Sequence, residues 1–244
     1  MADLTGRIAL VTGSSSGIGA AVARSLSAAG ATVVVNSRSS AAEGQQVADE
    51  VGGTYVQADV SDPADARRLV ADVIAAHGRI DVLVNNAGTT EVIPHHDLAA
   101  ASPEVWHRLY ATNVVAPFVL VTAALETLQA SAFGGCVVNV GSLAGVRPVG
   151  SSIPYAASKA ALHHQSVLLA AVFGPSLRVN VVAPGYTETP WTASWTDTKA
   201  YVEQIAPMRR GATPDDVAEA VLFCVTSSYL TGELVLVDGG LGLR

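Results

Sequence analysis

Short runs of β-branched and apolar residues alternate with longer stretches of helical spacing along the whole 244-residue chain. The runs fall at 8–12, 32–36, 54–58, 82–85, 136–140, 178–182 and 234–237. They are continuously apolar, the pattern of strands covered on both faces. Between them lie about ten residues or more, enough for the helix of a parallel crossover. A chain of this kind folds as an α/β doubly wound parallel sheet, with right-handed crossovers and helices on both faces. No repeat, low-complexity tract or Pro/Ser-rich linker interrupts it, so one domain is expected over 1–244.

Local punctuation supports the helices. Ser61-Asp62-Pro63 sets a cap before a first-turn proline, and Gly78 ends that helix. Ser102-Pro103-Glu104 and Thr213-Pro214-Asp215-Asp216 repeat the device. Pro154 places Tyr155 in a first turn. Pro117, inside the helical pattern that begins near Pro103, predicts a bend or break around Asn113. The stretch 184–211 holds Trp191, Trp195 and Tyr201 among Thr, Ser and Pro, and reads as a long irregular loop that acts as a lid or binding loop. Its aromatics either line a pocket or anchor the lid.

Half of the residues are hydrophobic and 14% are charged, a globular profile. A net charge of −7 without an acidic tail argues against a nucleic-acid partner. No apolar run approaches the roughly 18 residues of a membrane span, and no basic, apolar leader is visible. Cys136 and Cys224 sit in apolar segments and read as core residues, as suits a reducing cytoplasm.

Two constellations carry chemistry. Gly13-Ser-Ser-Ser-Gly17-Ile-Gly19 follows the run 8–12 and precedes a helix extending through Ala29. Such a turn lets backbone approach a pyrophosphate at a helix N-terminus; it is also found as a plain tight turn. Tyr155 and Lys159, spaced i, i+4, share a helix face. The ammonium should favour the phenolate and draw its pKa from about 10 toward operating pH, as a general acid/base needs. Alone, the pair also fits a half-buried ring with a snorkelling lysine.

T-G-S-S-S-G-I-G (12–19), N-N-A-G (85–88), Asn113, Ser142, Y-A-A-S-K (155–159) and P-G-Y-T-E-T (184–189) resemble, in order, the motifs of the short-chain dehydrogenase/reductase family, 3-oxoacyl-reductase-like subgroup. The resemblance reaches from the first strand to V-D-G-G (237–240). It implies a Rossmann-type sheet of seven strands and a nicotinamide dinucleotide cofactor. It implies Asn113, Ser142, Tyr155 and Lys159 as the catalytic set. Tyr155 exchanges the proton, Lys159 lowers its pKa and bonds the nicotinamide ribose, Ser142 holds the substrate carbonyl, and Asn113 holds a water linking Lys159 to solvent. Gly13, Ser15, Ser16, Gly17, Ile18 and Gly19 would meet the pyrophosphate. Asp59 and Val60 would meet the adenine, and Asn86, Ala87 and Gly88 the ribose. Thr187 (through its backbone) and Thr189, after Pro184 and Gly185, would bind the carboxamide, with transfer of the 4-pro-S hydride.

The second strand ends Asn36-Ser37-Arg38. An NAD site normally carries an acid there to hold the ribose 2′-hydroxyl. Ser37 is neutral, and the Arg38 guanidinium matches a 2′-phosphate. NADP(H) is therefore expected, with NAD(H) the alternative.

His95-His96 lacks a third ligand at recognisable spacing, so a polar loop rather than a metal is expected. One of His163 and His164 reads as a packing or subunit-interface residue. Ser142 with either histidine invites a hydrolase triad, but Leu-Ala-Gly after Ser142 is no nucleophile elbow. The stretch 168–178 is more apolar than is usual in the family and suits a buried interface, hence a homotetramer or, failing that, a homodimer. Arg178 is the only basic residue close by, which weakens acyl-carrier docking there. The function expected is NADP(H)-dependent reduction of a carbonyl or the reverse oxidation, with a 3-oxoacyl thioester reductase as one subtype. An NAD(H)-preferring dehydrogenase, a non-catalytic dinucleotide-binding regulator, and a dehydratase or epimerase remain as alternatives.

Overall fold

The computed structural model describes residues 3–243. Branching at Cβ suits a pleated, packed surface, and the seven apolar runs form strands: β1 (Ile8–Val11), β2 (Thr32–Ser37), β3 (Thr54–Gln57), β4 (Val82–Asn85), β5 (Gly135–Val140), β6 (Leu177–Pro184) and β7 (Leu234–Val237). The helices are α1 (Gly17–Ala28), α2 (Ala41–Glu50), α3 (Pro63–His77), α4 (Pro103–Tyr110), α5 (Ala116–Gln129), α6 (Ile153–Phe173), α7 (Thr196–Ile205) and α8 (Pro214–Thr226). All strands join one parallel sheet in the order β3-β2-β1-β4-β5-β6-β7. This is the Rossmann-type arrangement. Strand order reverses between β1 and β4, where open sheets leave a crevice at the carboxyl ends.

Side chains alternate across each strand and feed two hydrophobic layers. Val33, Val35, Val82 and Val84 pack with α1 and α8; Val34, Leu83 and Val137 pack with α3 and α5. Each such residue contributes about 1.5–3 kcal/mol by leaving water. The edge strands depart from the expectation of cover on both faces: β3 and β7 are partly exposed, because each has a neighbour on one side only.

The caps behave largely as read. The Asp62 carboxylate accepts the N–H groups of Ala64 and Asp65 at 2.7 and 3.2 Å, and Gly78 closes α3 at φ 80°. Thr213 and Asp216 form a reciprocal capping box on α8. Ser102 differs, donating to the Glu104 carboxylate at 2.6 Å instead of capping α4.

The helix that starts at Pro103 does not break. It passes through a π-helical turn, Ala111–Val115, into α5, and Asn113 lies buried within that turn. Pro117 has no N–H for the Asn113 carbonyl four residues back. The ladder slips, and Ala116 N–H bonds to the Ala111 carbonyl, five residues back. The run Pro103–Gln129 corrects the expectation about membrane-like length: it spans 27 residues with a mean hydropathy of 1.5 in its most apolar window. Its buried residues, Leu120, Ala124 and Leu128 among them, pack in the α3–α5 layer as those of a core helix do.

The stretch expected to be irregular also differs. Beyond β6 it holds a 3₁₀ turn, Pro190–Thr192, and the whole of α7. Only Val202 of α7 is buried, so no apolar stripe announces that helix in the sequence.

Candidate active site

The carboxyl ends of β1, β2, β4, β5 and β6 open into one cleft of about 1120 Å³. The glycine turn floors it. Gly13 and Gly17 have φ of 62° and 54°, left-handed values that favour glycine. A Cβ on Gly19 would stand 2.4 Å from the Gly13 carbonyl, so only glycine closes this turn. N-N-A-G is stitched to it: Asn86 Nδ2 donates to the Thr12 and Gly13 carbonyls at 2.9 Å each, and Thr12 Oγ1 accepts the N–H groups of Asn86 and Ala87 at 3.1 Å each. The N-cap residue Ser16 makes no side-chain cap, and the first turn of α1 holds no acid. The N-terminal N–H groups of α1 thus face the cleft without a protein acceptor from a cap, which fits a phosphate group.

At the end of β2, Asn36 Oδ1 accepts Gly13 N–H, while Ser37 Oγ donates to the Ser40 carbonyl at 3.0 Å and contacts the Tyr55 hydroxyl at 2.8 Å. Arg38 is exposed and lines the cleft, and among the described residues its guanidinium has no hydrogen-bond or ion-pair partner. Asp59, held by Ser61, and Val60 line the same end. An exposed, unpaired cation beside a strand end without a carboxylate is free to meet an anionic group.

The opposite end gathers Ser142, Tyr155 and Lys159. Ser142 follows β5, and its Oγ accepts Ala144 N–H at 3.2 Å. Tyr155 lies in the first turn of α6, where Ser152 caps its N–H. Lys159 is buried, donates to the Val140 carbonyl at 2.9 Å, and sits 5.9 Å from the Tyr155 ring centroid. The expected acidification of the phenol is not found. Burial pushes the Tyr155 pKa up, with the Ser142 hydroxyl pulling the other way. Burial also lowers the Lys159 amine to about 8. The ammonium lies over the ring face with its hydrogen bond on Val140, so loss of hydration outweighs attraction.

Asn113 does not line the cleft. Its Nδ2 donates to the Thr89 carbonyl and Ser158 Oγ, both at 3.0 Å, and its Oδ1 accepts Thr89 N–H at 2.9 Å. The side chain is therefore spent on clamping Thr89 and Ser158. A Cβ on Gly88 would lie 3.6 Å from Lys159 Nζ and 3.5 Å from Asn113 Oδ1, so these three are neighbours.

Pro184, Gly185, Thr187 and Thr189 line the cleft above the glycine turn; Thr189 Cγ2 would be 3.3 Å from a Cβ on Gly17. Thr192 Oγ1 donates to the Thr187 carbonyl at 2.6 Å and fixes this stretch. Trp191, Trp195 and Tyr201 all line the cleft. His95 lines it too, with Nε2 3.1 Å from the Gly150 carbonyl. Among the described residues no three His, Cys, Asp or Glu side chains gather into a metal-like group. Arg147 was missed as a lining residue; it belongs to no spaced motif and only the fold brings it in, whereas Asn36 and Tyr186, which also line the cleft, adjoin residues singled out at 37–38 and 184–189.

A family model described as enoyl-(acyl carrier protein) reductase matches residues 13–242. A Streptomyces violaceoruber protein, provisionally named ketoacyl reductase 2 of the granaticin polyketide synthase, is 52% identical over 237 residues, 96% of this chain and 95% of its own. A solved short-chain type dehydrogenase/reductase from Mycobacterium marinum matches with a TM-score of 0.90 and 33% identity, over 98% of this chain and 96% of that one. The Pseudomonas aeruginosa RhlG/NADP active-site complex matches with a TM-score of 0.89 and 33% identity, over 98% of both chains.

Proposed function

The chain belongs to the short-chain dehydrogenase/reductase family of oxidoreductases, and from that premise we propose that it is an NADP(H)-dependent reductase of a carbonyl substrate, also competent in the reverse oxidation. The observation that carries this is one cleft with an unpaired Arg38 at one end and Ser142, Tyr155 and Lys159 at the other.

Bound between them, a nicotinamide dinucleotide would supply the hydride chemistry at the substrate carbon. The glycine-turn N–H groups and α1 hold its pyrophosphate, Arg38 the 2′-phosphate, Asp59 and Val60 the adenine, Asn86 to Gly88 the ribose, and Thr187 with Thr189 the carboxamide. Ser142 Oγ–H donates to the substrate oxygen and stabilises charge that develops there. Tyr155 gives that oxygen its proton. A phenol kept protonated by burial suits this reducing direction. Lys159 bonds the ribose and places positive charge beside the phenolate that forms.

The aromatic wall of Trp191, Trp195 and Tyr201 suits an apolar or ring-bearing substrate. A ketoacyl compound is the proposed class, in keeping with the name of the Streptomyces relative. The 184–211 segment serves as the lid over it. Buried free thiols at Cys136 and Cys224 suit a reducing cytoplasm.

Tyr155→Phe tests the reading. Turnover of an acetoacetyl thioester with NADPH should fall by about 10²–10⁴-fold, while NADPH binding by calorimetry is retained. Wild-type turnover in that variant would reject Tyr155 as the proton donor.

A further inference from the structure

His163 stands one turn beyond Lys159 on α6 and takes no part in the chemistry assigned to Ser142, Tyr155 and Lys159. It is 8% exposed, and its Nε2 accepts the main-chain N–H of Ser142 at 3.3 Å. A ring nitrogen that accepts carries no proton, so the imidazole is neutral with its hydrogen on Nδ1. Burial, then the charge of Lys159, lowers its pKa to about 4, which keeps it so.

Glycines on both sides of Ser142 make room for the ring. A Cβ on Gly141 would lie 2.3 Å from Nε2, and one on Gly145 would lie 2.5 Å from Cε1. Any other residue at either place would displace the imidazole. The turn that bears Ser142 is therefore both packed on one ring and hydrogen-bonded to it. This is not a hydrolase pair, because the imidazole meets the serine main chain rather than its hydroxyl.

We propose that His163 is a positioning residue: its neutral ring fixes the main chain of Ser142 and thereby aims the Ser142 hydroxyl at the substrate oxygen. The proposal rests on the functional reading, in which that hydroxyl holds the substrate. Its role is one of direction, and small errors of direction at a reacting centre are costly in rate.

The test is a kinetic cycle of wild type, His163→Leu, Ser142→Ala and the double variant, with NADPH and an acetoacetyl thioester. Leucine fills the space without accepting a hydrogen bond. His163→Leu should lower kcat about tenfold with the Kd for NADPH unchanged. In the Ser142→Ala background the same change should alter kcat less than about twofold, since nothing remains to aim. His163→Gln, whose amide oxygen can accept the Ser142 N–H, should recover part of the loss. Equal losses in the two backgrounds, or undiminished kcat in His163→Leu, would overturn the proposal. Nitrogen NMR of the wild-type imidazole decides even where Leu prevents folding: the ring proton belongs on Nδ1, and a proton on Nε2 refutes the contact. Full turnover by Ser142→Ala alone overturns the functional reading instead. Failure of the present proposal looks different, with Ser142→Ala crippled and His163→Leu intact.

Discussion

Arg38 presents an unpaired guanidinium to the cleft, while Ser37 beside it is tied to Ser40 and Tyr55. Removing that charge should therefore touch only a ligand group that needs it. Arg38→Ala is expected to weaken NADPH binding by about ten- to hundredfold, the worth of a hydrogen bond to a charged group, and to leave NADH binding alone. Equal losses by calorimetry would reject a 2′-phosphate role. Lys159 yields a second expectation. Burial lowers it from 10.5 to about 8, so between those values the unfolded chain holds a proton that the folded one has released. Stability should rise with pH across that window, by about 3 kcal/mol in all. The raised Tyr155 phenol acts in the opposite sense, and only above about pH 10, where the unfolded phenol begins to ionise. Urea unfolding of wild type and Lys159→Met isolates the lysine: their difference should shift in favour of wild type as pH climbs through the window. The spacing of Tyr155 and Lys159 was legible from the sequence, but the direction of the phenol shift was not, because spacing says nothing of how deeply a pair is buried.

The π turn joins sequence to site through one element. Proline at 117 denies a hydrogen bond to the Asn113 carbonyl, and the slipped turn presents Asn113 to Thr89 and Ser158. Pro117→Ala restores the missing N–H, so the turn should tighten and draw Asn113 away. Turnover is expected to fall without loss of stability. Asp62→Ala makes the contrasting control: loss of the α3 cap should cost about 1 kcal/mol in urea unfolding and leave turnover unchanged. If Pro117→Ala loses stability and keeps full turnover, the turn is scaffold only. The elements most legible beforehand carried strong local chemistry, such as the β-branched strands, the Asp62-Pro63 start and the Gly78 stop. Helix α7 was not legible, since its single buried residue leaves no period to read. The helix from Pro103 was expected to bend or break; that it slips by one residue and continues depends on the packing of α5 on the sheet.

On the molecule as a whole, apolar side chains stand exposed on α5 and α6, with Phe118 at 48% and Val172 at 70%. A homotetramer, or a homodimer, is the assembly proposed, with these side chains covered by a second copy. Phe118→Glu combined with Val172→Glu should lower the sedimentation coefficient toward that of the single chain; an unaltered value would place the contact elsewhere. The sheet was legible as a whole because alternation of period and length is written along the entire chain. The cleft was legible only in part, because Arg147 reaches it through topology, outside any spaced motif. That topology has a temporal consequence. The glycine turn follows the first strand, whereas the wall facing it comes from β6 and the segment after it. A nascent chain emerging from a ribosome thus carries half a binding site through most of its synthesis. Cofactor capture then reports the completion of folding and cannot guide its early steps.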